Sequence, residues 1–294
     1  MPRAAHVEAL AERIAPGPDG MRTLLPVPGC WDGLSALLIE QAGFHAAFLT
    51  GAGLSMARLG RPDLGLVTAS ELTDAVAAIC DRVSLSLIVD GDTGFGNALT
   101  LQRSVRAVER AGAAAIQIED QGFPKRCGHL AGKSVVPIAE AVGRIAAALD
   151  AREDMLVIAR TDAVAVEGID AALERAQAYR EAGADLIFVE GPRTMAETQM
   201  VAERFAGQVP LVHNLVEGGV SATDSAAVLA RMGFAITLHP LLLLHGLVRH
   251  APGWLGALRA DGDTVRIREE IAALPVLNRL VGTQAMIEKG NAFG

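Results

Sequence analysis

Asp90 and Asp92 close the apolar run LSLIVDGD, and Glu119 closes the next such run, AIQIED. Three carboxylates brought together repel one another unless a cation lies between them. Oxygen donors without an imidazole or thiolate at ligand spacing favour Mg²⁺ or Mn²⁺ over Zn²⁺. On an extended segment Asp90 and Asp92 face the same side. The other reading, with Asp92 and Thr93 capping the next helix, is compatible with an ion held partly through water. Arg160, from MLVIART, supplies a fixed cation. It can grip a carboxylate through two parallel hydrogen bonds, or pair with Glu190 on the neighbouring strand. In PKRCGHLAGK, Cys127 follows Lys125 and Arg126 and precedes Gly128 and His129, in a stretch too rich in Gly and Pro for helix or strand. Cys127 and His129 are too close in sequence for a zinc site, and no second ligand pair follows. A free thiol of pKa near ~8.5 is mostly protonated at neutral pH; adjacent cations lower that by about a unit, so it can both give and take a proton.

Residues of this kind need a frame that brings them together, and a recurrent phrase supplies it. AGFHAAFLTG, AGAAAIQIED, AGADLIFVEG and MGFAITLHP each place a glycine after a helical pattern and before a short apolar run. That is a helix C-cap leading into a buried strand. With LLPVPG, LSLIVD, MLVIART and VPLVHN there are eight candidate strands separated by helical segments. Near-continuous apolar strands mean burial on both faces and a parallel sheet. Eight βα units predict an α/β fold of the (β/α)8 TIM-barrel type. Extra helices follow around residues 264–273 and 276–290, and a short amphipathic helix opens the chain at about 1–15. A doubly wound sheet is the alternative, but GAGLSMARLG and GDTGFGN lack the dinucleotide glycine spacing. The runs finish in Thr50, Asp90, Glu119–Asp120, Arg160, Glu190, Asn214 and His239. One Asp or Asn there is an ordinary helix cap. Polar residues at so many equivalent ends predict one site on the C-terminal face of the barrel.

Composition narrows the classes. The chain has 294 residues, half of them apolar, and a net charge of −8 without a basic stripe, which argues against nucleic-acid partners. No linker or low-complexity tract divides it, so a single domain over 1–294 is expected. Three scattered cysteines form no disulfide framework and suit a reducing cytoplasm. Cys30 and Cys80 read as packing residues. The most apolar stretch, AITLHPLLLLHGLV, is too short to span a bilayer.

DGDTGFGN, IEDQGFPKRCGH, IARTDAVAVEG and TGAGLSMARLGRPDLG together resemble the isocitrate lyase/phosphoenolpyruvate mutase superfamily, in order and spacing, from about Val27 to Pro240. The resemblance implies a (β/α)8 barrel, often tetrameric through an exchanged helix beyond the barrel, so a homotetramer is expected. It also implies a Mg²⁺ ion with Asp90 and Asp92 as its main positions and Glu119 and Asp63 around it through water. Backbone N–H groups at Thr50, Gly51 and Ala52 would touch a substrate carboxylate. Gly128, Arg160, Glu190 and Asn214 match substrate-contacting positions. In this superfamily KRCGH marks members that cleave carbon–carbon bonds, with the cysteine as proton donor, and the mutases lack it. The segment 121–134, with Gly122, Gly128 and Gly132, is then expected to act as a lid. The chemistry implied is cleavage of the C2–C3 bond of a metal-chelated 2-hydroxy acid, giving an α-keto acid. Cys127 would protonate the departing carbon, with Lys125, Arg126 and His129 as counter-charges.

Substrate choice is less sharply written. Methylisocitrate lyases share KRCGH and ARTDA but read NITEFG where this chain has NLVEGG, so Val216 replaces a hydroxyl. His245 stands where they carry an arginine. A third carboxylate left unpaired there would cost several kcal/mol. NLVEGG is closer to the dimethylmalate lyase and petal-death-protein branch. The expectation is a small carboxylic-acid substrate of 2-alkylmalate type. Methylisocitrate cleavage is the second choice; an oxaloacetate decarboxylase or hydrolase, or a phosphonopyruvate-type mutase, is a further alternative.

Overall fold

The computed structural model describes residues 4–128, 132–223 and 225–294. Helix α1 (Ala5–Ile14) precedes the first strand, β1 (Leu25–Cys30). Then follow α2 (Gly33–Gln41), β2 (Ala46–Leu49), a single turn α3 (Gly51–Leu54), α4 (Ala69–Cys80), β3 (Ser86–Asp90) and α5 (Ala98–Arg110). The middle of the chain forms β4 (Ala115–Glu119), α6 (Ile138–Ala151), β5 (Leu156–Thr161), α7 (Ile169–Glu181) and β6 (Leu186–Val189). It closes with α8 (Met195–Phe205), β7 (Leu211–Asn214), α9 (Ala226–Arg231), β8 (Ile236–His239) and the long α10 (Leu242–Asp261). The last helices are α11 (Leu274–Val281) and α12 (Thr283–Asn291). The eight strands pair in sequence order, all parallel, and β8 closes on β1. This is the (β/α)8 barrel that the repeating phrase predicts.

The four helix-to-strand glycines do what their positions require. Gly43, Gly112, Gly183 and Gly233 have φ of 84°, 106°, 102° and 88°, a conformation in which a side chain is strained. Helix starts are equally explicit: Asp32, Thr68 and Thr194 each build a reciprocal capping box, and Asn97 caps α5. The barrel interior is filled by inward residues such as Phe48, Ile88, Ile158, Phe188, Val212 and Ile236. Helix α1 closes its N-terminal end by packing Val7, Leu10 and Ile14 on that layer. A polar tie reinforces the closure, since Ser86 Oγ donates to the carbonyl of His6 at 2.8 Å. A second apolar layer lies between the sheet and the outer helices. One end is thus plugged, leaving the C-terminal end for chemistry.

Candidate active site

At the open end, one cavity is lined by Thr50, Ala52, Asp63, Asp90, Glu119, Lys125, Arg126, Cys127, Gly128, Arg160 and Asn214. Phe48, Val216, Pro240 and Leu241 form its apolar part. Strand register explains the assembly: Asp90 pairs with Gln117, and Glu119 with Arg160. Gln117 Nε2 donates to Asp90 Oδ1 at 3.1 Å, and the Gly51 N–H donates to Asp90 Oδ2 at 3.3 Å. The sequence reading of Asp90 and Asp92 as alternate residues of one extended segment needs correction. The strand ends at Asp90, and Asp92 turns through a left-handed φ of 47°. The two carboxylates converge nonetheless: a methyl group on Gly51 would lie 3.2 Å from an oxygen of each. Asp92 does not cap α5, whose cap is Asn97.

Three of the strand-end residues, Asp120, Glu190 and His239, do not line this cavity, and Glu190 stands just behind Arg160 and Asn214. Glu119 faces the cavity, so the next residue, Asp120, points the other way. There Asp120 accepts hydrogen bonds from Thr161 Oγ1, Tyr179 Oη and the Asp162 N–H at 2.7, 2.7 and 2.9 Å. His239 lines a neighbouring cavity with Leu215–Gly219. Burial lowers its pKa and the nearby Glu217 raises it, burial prevailing. At that rim His245 Nδ1 lies 3.1 Å from Glu217 Oε2.

The segment after β4 lies over the acids. Its ends are joined by a Gln121–Val135 bridge and by the Gly122 N–H donating to the Ser134 carbonyl at 2.8 Å. The Gln121 side chain holds Arg126 on both its N–H (3.0 Å) and its carbonyl (2.8 Å). The Cys127 N–H donates to the Asp63 carbonyl at 3.3 Å. His129 lies outside the described residues. Lys125 Nζ reaches Asp63 at 2.5 Å and Asp92 at 2.6 Å, so its charge is engaged with the acids. Burial opposes that charge, but Asp92, Asp90, Glu119 and Asp63 outweigh it and hold the lysine protonated. Arg160 pairs most tightly with Asp162, from Nε at 2.9 Å and Nη2 at 3.1 Å. Glu119 and Glu190 are more distant, at 3.5 and 3.6 Å. Asn214 Nδ2 donates to Glu190 Oε2 at 2.7 Å, completing the row.

Residues 21–246 match the phosphoenolpyruvate phosphomutase family. The chain belongs to the phosphoenolpyruvate mutase family. Among relatives of this family, it is 39% identical to 2,3-dimethylmalate lyase of Eubacterium barkeri over 91% of this chain and 92% of that one. It is 41% identical to 2-methylisocitrate lyase of Bacillus subtilis (strain 168) over 82% and 79% of the two chains. A crystal structure of 2,3-dimethylmalate lyase, a member of the PEP mutase/isocitrate lyase superfamily, superposes with a TM-score of 0.91 at 34% identity, covering 100% of this chain and 97% of that one. Phosphonopyruvate hydrolase in complex with oxalate and Mg²⁺ superposes at 0.85 and 32% identity, covering 97% and 98%.

In this member of the mutase family, the charge inventory fits a divalent ion. Asp63, Asp90, Asp92, Glu119, Asp120, Asp162 and Glu190 are all buried, against the four cationic side chains of Lys125, Lys133, Arg160 and Arg175. Among these buried described groups the acids outnumber the cations by three, and Arg126 adds one more cation at the cavity wall. Burial, with Asp90 and Asp63 nearby, pushes Asp92 up to about 7 despite Lys125. Burial likewise raises Glu119 well above the carboxylate range despite Arg160. Glu119 Oε1 is buried and accepts no hydrogen bond among the described residues. No three His, Cys, Asp or Glu side chains there stand close enough to bind one ion by themselves.

Sequence reasoning missed Asp162, Lys133 and Gln117. Asp162 was visible in ARTDA, two residues beyond Arg160, the spacing at which extended residues share a face. Among the described residues no helix is long and apolar enough to cross a membrane.

Proposed function

We propose that this family member is a Mg²⁺-dependent carbon–carbon lyase that cleaves a 2-alkylmalate-type acid to an α-keto acid and a carboxylic acid. One observation carries the reading: Cys127 lines the same cavity as Asp90, Glu119 and Arg160, with the apolar Val216, Pro240 and Leu241. The curated relatives named for dimethylmalate and methylisocitrate cleavage support it.

Asp90 and Asp92 would hold the ion, with Asp63 and Glu119 around it; Mn²⁺ fits the same donors. When bound, the ion supplies Lewis-acid polarisation of a 2-hydroxyl and its carboxylate. Thr50, Gly51 and Ala52 offer backbone groups to that carboxylate, and Gly128, Arg160, Glu190 and Asn214 enclose the substrate. As the C2–C3 bond breaks, the hydroxyl loses its proton and C2 becomes a carbonyl. C3 keeps the electron pair, spread onto its own carboxylate, and the Cys127 thiol gives C3 a proton. Arg126 is the counter-charge on that side, His129 has the same role by resemblance, and Lys125, expected there from sequence, instead holds Asp63 and Asp92. An alkyl group on the substrate suits Val216 and Leu241, whereas a third carboxylate would be left without a cation there.

Incubation with Mg²⁺ and 2-alkylmalates, 2-methylisocitrate, oxaloacetate and phosphonopyruvate, with α-keto acid read by coupled lactate dehydrogenase, tests this. The expected result is turnover of a 2-alkylmalate that EDTA abolishes. Turnover of phosphonopyruvate alone, or activity indifferent to EDTA, overturns the reading. The cysteines are free and the site needs a reduced thiol, so we place the protein in the cytoplasm, as a homotetramer.

A further inference from the structure

We propose that Lys133 and Asp162 form a clasp that positions Gly128, and with it Cys127, against Arg160. Neither residue lines the cavity, so each acts through another. Asp162 is fully buried just beyond β5, and its carboxylate takes two hydrogen bonds from Arg160 and one from Lys133 Nζ at 2.9 Å. The same ammonium donates to the Gly128 carbonyl at 2.6 Å. One carboxylate therefore sets both the arginine fork and the backbone next to the thiol.

The anchor is itself fixed, because the Asp162 N–H donates to Asp120, which Thr161 and Tyr179 hold in turn. On the other side Gly128 is seated without slack. A Cβ there would lie 2.5 Å from Arg160 Nη2 and 2.9 Å from Glu190 Cδ. The Gly128 carbonyl is drawn toward Lys133 while its Cα rests on Arg160 and Glu190. Cys127 is the adjacent residue, so the seat of Gly128 is also the seat of the thiol.

The inference rests on the lyase reading only through the role given to Cys127, and its test has a readout that needs no substrate. In a Cys80→Ser background Cys30 is fully buried, so iodoacetamide reports Cys127. Lys133→Met is expected to raise the alkylation rate about fivefold or more when rates are compared at a pH high enough to ionise the thiol, where access and not thiolate fraction sets them. Lys133→Arg, which keeps a donor for both partners, should stay near the parent rate. On a 2-alkylmalate, Lys133→Met should lower kcat about tenfold or more with a much smaller change in KM, the signature of a misplaced donor. A folded Lys133→Met that alkylates at the parent rate overturns the clasp. If Lys133→Met does not fold, Lys133→Ala decides by the same criterion: it removes both contacts of the ammonium and leaves space for water beside Asp162, with the Arg160–Asp162 pair untouched. If the parent has no lyase activity but the alkylation rates separate as described, the clasp stands and the lyase reading falls.

Discussion

Asp162 remains ionised where burial alone would neutralise it. Burial raises its pKa, and Arg160 and Lys133 together overcome that, holding it below the ordinary aspartate value. A depressed folded-state pKa contributes stability that is present above the unfolded value and is lost as pH falls through the folded one. Asp162→Asn also takes the anion from Lys133 and leaves Arg160 only the more distant Glu119 and Glu190, which costs about 3 kcal/mol at neutral pH. The stability gap between the parent and Asp162→Asn should therefore be full at pH 7 and narrow once pH drops below about 4. Urea midpoints measured from pH 7 to pH 2.5 check this. A gap that stays constant through the acid range contradicts it. Asp92 sits in the opposite condition: burial, with Asp90 and Asp63 nearby, raises its pKa despite Lys125.

At the scale of elements, the site depends on strands that close tightly enough to bring their ends within reach. The β1–β8 seam is the sharpest case. A Cβ on Gly29 would fall 2.0 Å from the carbonyl oxygen of Pro240, a backbone atom with no rotamer to yield. Gly29→Ala should therefore cost about 3 kcal/mol or more, at the upper end of overpacking penalties. A urea midpoint unchanged from the parent would show that the seam can widen. The strands and their order were legible in the sequence because each repeat carries its own glycine stop and β-branched run, signals local enough to read without tertiary context. The site was legible where it lies at strand ends, as for Asp90, Glu119, Arg160 and Asn214. Strand alternation does not announce which of two adjacent acids turns inward, so the choice of Glu119 over Asp120 had no spacing behind it, although Glu119 is the one that lines the cavity. Long-range pairings such as Lys133 to Asp162 have no sequence spacing at all. They follow from where a loop crosses a barrel mouth, and only the fold supplies that.

Across the whole molecule, apolar surface concentrates beyond the barrel. Val248, Leu255, Leu274, Met286 and Phe293 are well exposed on and after α10, and α11 and α12 have no buried residues. Exposed apolar side chains gathered on neighbouring elements mark a surface suited to a partner. The proposed homotetramer would cover it with a neighbouring subunit. Light scattering coupled to gel filtration should give four times the chain mass, and truncation after Gly262 should yield a smaller species. A monomeric full-length chain would contradict this assembly.

All three scales meet in one claim, that a thiol held over an acid-lined cavity protonates the carbon released by C–C cleavage. Its most direct measurement is turnover of 2,3-dimethylmalate with Mg²⁺ by the parent and by Cys127→Ser, quantifying both products. The account predicts pyruvate and propionate in equal amounts from the parent, and a fall of about a hundredfold or more in kcat for Cys127→Ser, the scale of a lost general acid. Equal rates for the two proteins would contradict it.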